Sequence, residues 1–107
     1  MPSSDSVNWL VKISKQAEAR GDGLAFKGLK RYFATGRGRD VQGIAPDTFV
    51  TLLSRTRHVD IVSERGDVTV FVNRETGGTA TVRNTGRLFN REYMAQAFTA
   101  LERPRRV

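Results

Sequence analysis

Five cations without an intervening acidic residue form the densest group of side chains able to do chemistry: Lys27, Lys30, Arg31, Arg37 and Arg39. The first three are spaced three and four residues apart, so on a helix they share one face. The last two alternate with glycines, which allow a backbone to approach a phosphate closely. The run predicts either a phosphate-binding surface or a solvated helix face that ends in an ordinary turn.

A second set of polar side chains lies on a predicted hairpin, whose two alternating, β-branched arms are joined at Gly77-Gly78. We expect the valine face of its first arm to be buried: Val68, Val70 and Val72. The opposite, polar face is predicted to carry Asn73, Thr79, Thr81 and Arg83. Hydroxyls, an amide and a guanidinium on a rigid sheet could hold a phosphodiester or an extruded base. Solvent-facing threonines on an outer strand are the alternative.

A third basic group, Arg55, Arg57 and His58, follows the third predicted helix. Histidine titrates near neutral pH, so His58 could serve as a general acid or base. A histidine at a helix end can equally be a charge partner of the last carbonyls.

These groups give two sets of candidate site residues. The candidate catalytic residues are Lys30, Arg31, His58 and Arg83. The candidate nucleic-acid-binding residues are Lys27, Arg37, Arg39, Arg57, Asn73, Thr79, Thr81 and Arg87. No residue pattern indicates a metal ligand set or a cofactor site.

The elements that must position these residues follow from hydrophobic periodicity and turn residues. Helices are predicted over 6–20, 24–35, 46–55 and 91–101, and strands over 59–63, 67–73, 79–83 and 87–89. This order predicts an α+β fold, with N-terminal helices packed on a small antiparallel sheet of about four strands and a C-terminal helix. We expect a single domain over 1–107, with flexible ends at 1–5 and 103–107.

Composition narrows the class of protein. The 107 residues include no cysteine and a single histidine, which excludes a disulfide framework, a thiolate metal site and a histidine cluster. No apolar segment is long enough for a bilayer and no secretory signal is recognisable, so we expect a cytoplasmic protein without a membrane partner. The net charge of +7 comes mainly from arginine, whose guanidinium groups bind phosphates, and this favours a nucleic-acid partner.

The order and spacing of the elements resemble those of the colicin D-type toxin domain, a member of the barnase, EndoU, colicin and RelE group of small ribonucleases. The residues that carry the resemblance are Phe71-Val72-Asn73, Thr76-Gly77, the strand 79–82 and Gly86-Arg87-Leu88-Phe89. It implies metal-independent cleavage of RNA, typically transfer RNA, by attack of the ribose 2′-hydroxyl. It also implies an acidic immunity or antitoxin protein as partner.

The sequence departs from that family at two places. The stretch that corresponds to the family's histidine-bearing basic run is Lys30-Arg31-Tyr32-Phe33-Ala34, which has no histidine. Asn90, Arg91 and Glu92 stand where the family has Ser and Trp. We therefore keep three hypotheses: a toxin-like ribonuclease, a non-catalytic nucleic-acid-binding accessory protein, and a basic protein-interaction or inhibitor module.

Overall fold

The computed structural model describes residues 3–34 and 43–104. In this part of the chain the fold is α+β, with four helices and a three-stranded antiparallel sheet in the order β1-β2-β3. The elements are α1 (Ser3–Ala19), α2 (Phe26–Ala34), α3 (Pro46–Ser54), β1 (Val59–Arg65), β2 (Val68–Asn73), β3 (Thr79–Arg83) and α4 (Arg91–Glu102). The α+β prediction is confirmed, and helices and sheet pack together as expected.

The helices begin and end close to the positions predicted from capping and proline signals. Pro46 opens α3, and the side chain of Asn90 accepts a hydrogen bond from Tyr93 N at 2.8 Å to cap α4. Helix α1 begins earlier than expected, at Ser3 rather than at residue 6. Its inner face reaches the end of α3, where Arg55 Nη1 donates to the buried Ser14 Oγ at 3.3 Å.

An aromatic cluster joins three of the helices. The ring of Phe49, on α3, is fully buried and lies 6.0 Å from Phe33, 5.9 Å from Phe98 and 5.7 Å from Phe89 between centroids. Its contacts with these three rings are edge-to-face, an arrangement that adds to the free energy gained by burying aromatic surface. The cluster thereby fixes α2, α3 and α4 against one another and against the chain that enters α4.

The predicted fourth strand, 87–89, does not form. Only Phe89 pairs, as an isolated bridge in which Phe89 N donates to Ile44 O at 2.8 Å and Ile44 N to Phe89 O at 3.1 Å. The physical reason is lack of room, because Gly86 is in a turn with φ of +83° and Asn90 already caps α4. The number of strands in the described residues is therefore three rather than four.

The hairpin forms, but the faces of its first arm are the reverse of those predicted. Phe71 is fully buried and pairs with the buried Ala80. Val70 pairs with the exposed Thr81, and directly opposed residues share one face of a sheet. The valines are therefore on the outer face and only half-buried. Asn73 is on the inner face and 4% exposed, so the prediction that it stands beside the threonines is wrong.

An irregularity interrupts β1, which is an edge strand of the sheet in the described residues. Ile61 pairs with Phe71, and the next pair joins Ser63 to Val70, so Val62 is an extra residue in the ladder. Val62 is 57% exposed, which makes it one of the most exposed large apolar side chains in the described residues. Such a bulge bends the strand and leaves the extra residue without a partner in the sheet.

The loop between β2 and β3 docks on the end of α4. Thr76 Oγ1 donates to the carbonyl of Leu101 and accepts from Gly78 N at 3.0 Å, so the loop satisfies a carbonyl at the end of the helix. Gly78 lies so close to α4 that a Cβ atom there would meet the carbonyl oxygens of Ala100, Arg103 and Leu101. The loop can therefore dock only if residue 78 has no side chain.

The face assignment predicts unequal effects of one isosteric change on two valines. Val82→Thr places a hydroxyl on the inner face, where Val82 is 1% exposed, and should cost about 1–3 kcal/mol of unfolding free energy. Val70→Thr, on the half-buried outer face, should cost less than about 0.5 kcal/mol. Chemical denaturation measures both values. Equal losses, or a larger loss for Val70→Thr, would show that the outer face had been assigned wrongly.

The docked loop predicts opposite effects of one substitution at two glycines. Gly78→Ala should lower the unfolding free energy by roughly 1–3 kcal/mol, because the new methyl group clashes with rigid backbone carbonyls. Gly28→Ala, inside α2 and exposed, should raise it by about 0.5–1 kcal/mol, because only the Ala25 side chain comes near, at 3.9 Å. If Gly78→Ala melted like the wild type, the loop would not be docked on α4.

Candidate nucleic-acid interface

An open groove of about 380 Å³ lies between the end of β3 and the start of α4. Its lining residues are Thr81, Arg83, Thr85, Arg87, Leu88, Phe89, Asn90 and Tyr93. Three of them, Thr81, Arg83 and Arg87, are residues that the sequence predicts to act on nucleic acid. The structure therefore brings part of the predicted site into one place.

Local structure explains why these side chains meet. Alternation along β3 turns Thr81 and Arg83 away from the core, which receives Ala80 and Val82 instead. A turn then reverses the chain, with Gly86 N donating to the side chain of Asn84 at 2.9 Å. Phe89 is anchored in the core at 4% exposure, and the residues between the turn and this anchor are exposed. The cationic side chains are thus presented by a chain segment held at both ends.

Tyr93 forms the inner wall of the groove. Its hydroxyl oxygen accepts a hydrogen bond from Arg83 N at 3.0 Å, which joins the first turn of α4 to the end of β3. Its ring is stacked on Phe89, with 4.3 Å between centroids and 21° between ring planes. The half-buried Tyr93 is therefore fixed from two directions by contacts within the protein.

The groove has the electrostatic character of an anion site. Arg83 and Arg87 are both exposed, and no acidic side chain is among the described residues that line the groove. The groove also includes Asn90, the N-cap of α4, and the N-terminal end of a helix carries a partial positive charge. Two guanidinium groups with neighbouring hydroxyls and an amide can bind a phosphodiester through charge-assisted hydrogen bonds.

The predicted basic face of α2 lies at a different place. Lys30 Nζ forms an ion pair with Glu102, the last residue of α4, and both side chains are more than one-third exposed. Helix α4 starts at the groove and rises 1.5 Å per residue, so this ion pair is about 16 Å further along the helix axis. Lys27 and Arg31 are exposed. The structure therefore does not bring Lys30 together with Arg83.

His58 lies in a third region. It adopts φ of +69°, a conformation in which histidine is one of the few residue types enriched besides glycine, and its carbonyl accepts from Arg74 N at 2.8 Å. It lines an open polar basin of about 260 Å³ at the end of the sheet where β1 begins. Arg83 lies at the opposite end, where β3 finishes. The four candidate catalytic residues are thus distributed over separate parts of the surface.

Arginines in this basin are matched by carboxylates. Arg57 Nε and Nη2 donate to Asp22 at 2.8 and 3.0 Å, and Arg74 Nη1 donates to both oxygens of Asp60 at 2.7 and 2.8 Å. The backbone N–H of Gly23, and after it Arg57, lowers the pKa of Asp22 below its ordinary value of 3.8. Because the folded pKa is the lower one, this contribution to stability is present at neutral pH and is lost as the pH falls through that pKa. Arg57 is therefore already engaged by an anion of the protein itself.

The remaining predicted binding residues lie away from the groove or outside the described residues. The side chain of Asn73 is buried and accepts from Glu75 N at 2.9 Å, which shapes the hairpin loop. Thr79 is exposed at the opposite end of β3 from Arg83, beside the docked loop. Arg37 and Arg39 lie outside the described residues.

The sequence analysis does not assign five of the residues that line the groove to a site: Thr85, Leu88, Phe89, Asn90 and Tyr93. Asn90 is an ordinary helix-capping residue and Tyr93 lies on the apolar side of a helix, so neither is marked by its residue type as a ligand contact. The sequence does contain a signal for Asn90. A helix cap that directly follows a turn with a cationic residue places that cation near the N-terminus of a helix. Nothing in the sequence pattern of Thr85 distinguishes it from an ordinary turn residue.

Comparisons of the chain with protein-family models, with curated proteins and with solved structures give no match. The similarity to colicin D-type toxin domains therefore stays a prediction. Within residues 3–34 and 43–104, no helix has the length and apolar composition needed to cross a membrane. In the same described ranges, no three His, Asp or Glu side chains are grouped as ligands for one metal ion.

Proposed function

We propose that this chain binds RNA in the cytoplasm through the groove between β3 and α4, with Arg83 and Arg87 on the phosphates. One observation supports the proposal above the others. The groove unites Thr81, Arg83 and Arg87, which the sequence pattern alone marks for nucleic acid, and among the described residues no acidic side chain lines it. The other described basic residues that the sequence singled out include Lys30 and Arg57, which are paired with carboxylates.

The chemistry of the groove suits RNA. Guanidinium groups hold phosphate oxygens through parallel hydrogen bonds, and the net charge of +7 attracts a polyanion over a longer distance. The hydroxyl groups of Thr81 and Thr85 can both donate and accept, as can a ribose 2′-hydroxyl. These groups favour RNA over DNA as the ligand.

A second candidate function is cleavage of RNA, as in the toxin domains that the sequence resembles. The observation that favours it is the Tyr93 hydroxyl, which lies in one groove with two guanidinium groups. Attack by a ribose 2′-hydroxyl needs groups that exchange protons and cations that stabilise the growing charge on the phosphate. An acidic immunity or antitoxin protein that covers Arg83 and Arg87 would be the partner in this case.

The binding proposal predicts a salt-dependent affinity that depends on the groove arginines. Arg83→Ala and Arg87→Ala should each weaken binding of a labelled RNA about tenfold, because each removes a charge-assisted contact. The plot of log affinity against log salt should become less steep by about 0.7 per lost phosphate contact. Fluorescence anisotropy at several salt concentrations measures both quantities.

The matched control removes the same net charge elsewhere. Lys12 and Lys15 are exposed on α1, and the double variant Lys12→Ala/Lys15→Ala should bind nearly as the wild type does. If the control loses as much affinity as Arg83→Ala/Arg87→Ala, attraction to the RNA is general and the groove is not the binding site. If neither the wild type nor any variant binds nucleic acid, the protein-interaction module becomes the leading hypothesis.

The cleavage candidate predicts fragments when the purified protein is incubated with total RNA in EDTA. Tyr93→Phe should then lower the rate by about 10²–10⁴, the usual contribution of a proton-transferring group. His58→Asn and Lys30→Ala should leave the rate nearly unchanged, since both residues lie away from the groove. Asparagine is chosen at residue 58 because it also tolerates positive φ. RNA that stays intact through a long incubation would reject cleavage and leave binding standing.

A further inference from the structure

A line of ring contacts runs from the core of the protein to the groove. Phe49 contacts Phe89 at 5.7 Å, and Phe89 in turn stacks on Tyr93 at 4.3 Å. Exposure increases along this line, because Phe49 is fully buried, Phe89 is 4% exposed and Tyr93 is half-buried. The last ring of the line therefore forms part of the wall of the groove that holds Arg83 and Arg87.

Phe89 covers one face of the Tyr93 ring, since two rings inclined by 21° contact each other face to face, and the half-buried Tyr93 side chain also lines the groove. The hydrogen bond that the Tyr93 hydroxyl accepts from Arg83 N restrains the ring at its far end. A flat, rigidly held aromatic surface beside two cations is the combination with which proteins bind single nucleic-acid strands. The cations attract the phosphates, and the aromatic face accepts a base.

We infer that the groove selects a nucleotide whose base is unpaired, and that this base stacks on Tyr93 as a continuation of the Phe89–Tyr93 stack. The phosphate of the same nucleotide or of its neighbour lies on Arg83 and Arg87. This inference rests on the proposed function and specifies its ligand as single-stranded RNA. A base inside a duplex has both faces covered by its neighbours, so it cannot reach Tyr93 without leaving the helix.

The site also restricts how sequence-specific the binding is. Every base has an aromatic face, so stacking on Tyr93 accepts all of them. The uncharged polar side chains that line the groove together with the Tyr93 ring are few, namely Thr81, Thr85 and Asn90. The expected ligand is therefore an unpaired strand of broad sequence, with at most a modest preference among bases.

The test compares two substitutions of Tyr93 by fluorescence anisotropy with labelled oligouridine. Tyr93→Phe keeps the ring, and Tyr93→Leu replaces it by an aliphatic side chain. Both lose the hydroxyl that accepts from Arg83 N, so a difference between them reports the ring alone. We expect Tyr93→Leu to bind roughly 5- to 150-fold more weakly than Tyr93→Phe.

Two further probes separate stacking from damage to the fold or to the phosphate contacts. An abasic ribose–phosphate strand has no base to stack, so Tyr93→Leu and the wild type should bind it equally well. Oligouridine annealed to oligoadenine should bind the wild-type protein more weakly than the single strand does. Failure of Tyr93→Leu to bind the abasic strand would mean that the substitution acts through the fold rather than through a stacked base, and would overturn the inference.

The outcomes also separate this inference from the proposed function. Equal affinity of Tyr93→Phe and Tyr93→Leu for oligouridine, or equal affinity of the wild type for single strand and duplex, overturns the stacked base. Binding that still depends on Arg83 and Arg87 would then support the RNA-binding proposal without it. Absence of binding to every probe rejects both.

Discussion

The packing of Phe49 against its aromatic neighbours is the contact on which most of this structure depends. Phe33, Phe89 and Phe98 approach one ring from three different parts of the chain. A densely packed interior tolerates little change in volume, so these rings set how close the helices can come. Because Phe89 belongs to this cluster and also stacks on Tyr93, the geometry of the groove is fixed by the core rather than by the surface loop that carries the cations.

The sequence was sufficient to predict the four helices and three strands, but it also predicted a fourth strand that does not form and did not show which face of the hairpin is buried. Both arms show clean alternation, and each has one apolar face, which made a shared valine face a natural prediction. The length of the connecting loop decides the register instead, pairing Phe71 with Ala80 and Val70 with Thr81. A loop one residue longer or shorter would exchange the faces of one arm relative to the other. Which faces of the two arms coincide therefore depends on how the Thr76-Gly77-Gly78 segment docks on α4. No local sequence pattern reveals this docking.

For the candidate residues, neighbours along the chain can be recognised from the sequence, whereas partners that are distant in the sequence cannot. Arg83 and Arg87 are separated by a single turn, and both line the groove. The spacing of basic residues equally predicts that Lys30 is a cation on a helix face. In the structure, however, Lys30 forms an ion pair with Glu102, which is far away in the sequence. An ion pair of this kind depends on how α2 packs on α4. Charge runs therefore indicate where cations lie along a helix, whereas tertiary packing determines which of them meet a carboxylate of the protein.

The bulge at Val62 has a consequence for how the protein behaves at high concentration. In the sheet that the described residues form, β1 is an edge strand, and an open edge with apolar side chains such as Ile61 and Val62 is a template for pairing with another copy of the chain. The extra residue interrupts the even spacing of the backbone donors and acceptors that such intermolecular pairing requires. The irregularity thus makes β1 a poorer template for edge-to-edge pairing, and deletion of Val62 would give the strand a regular edge.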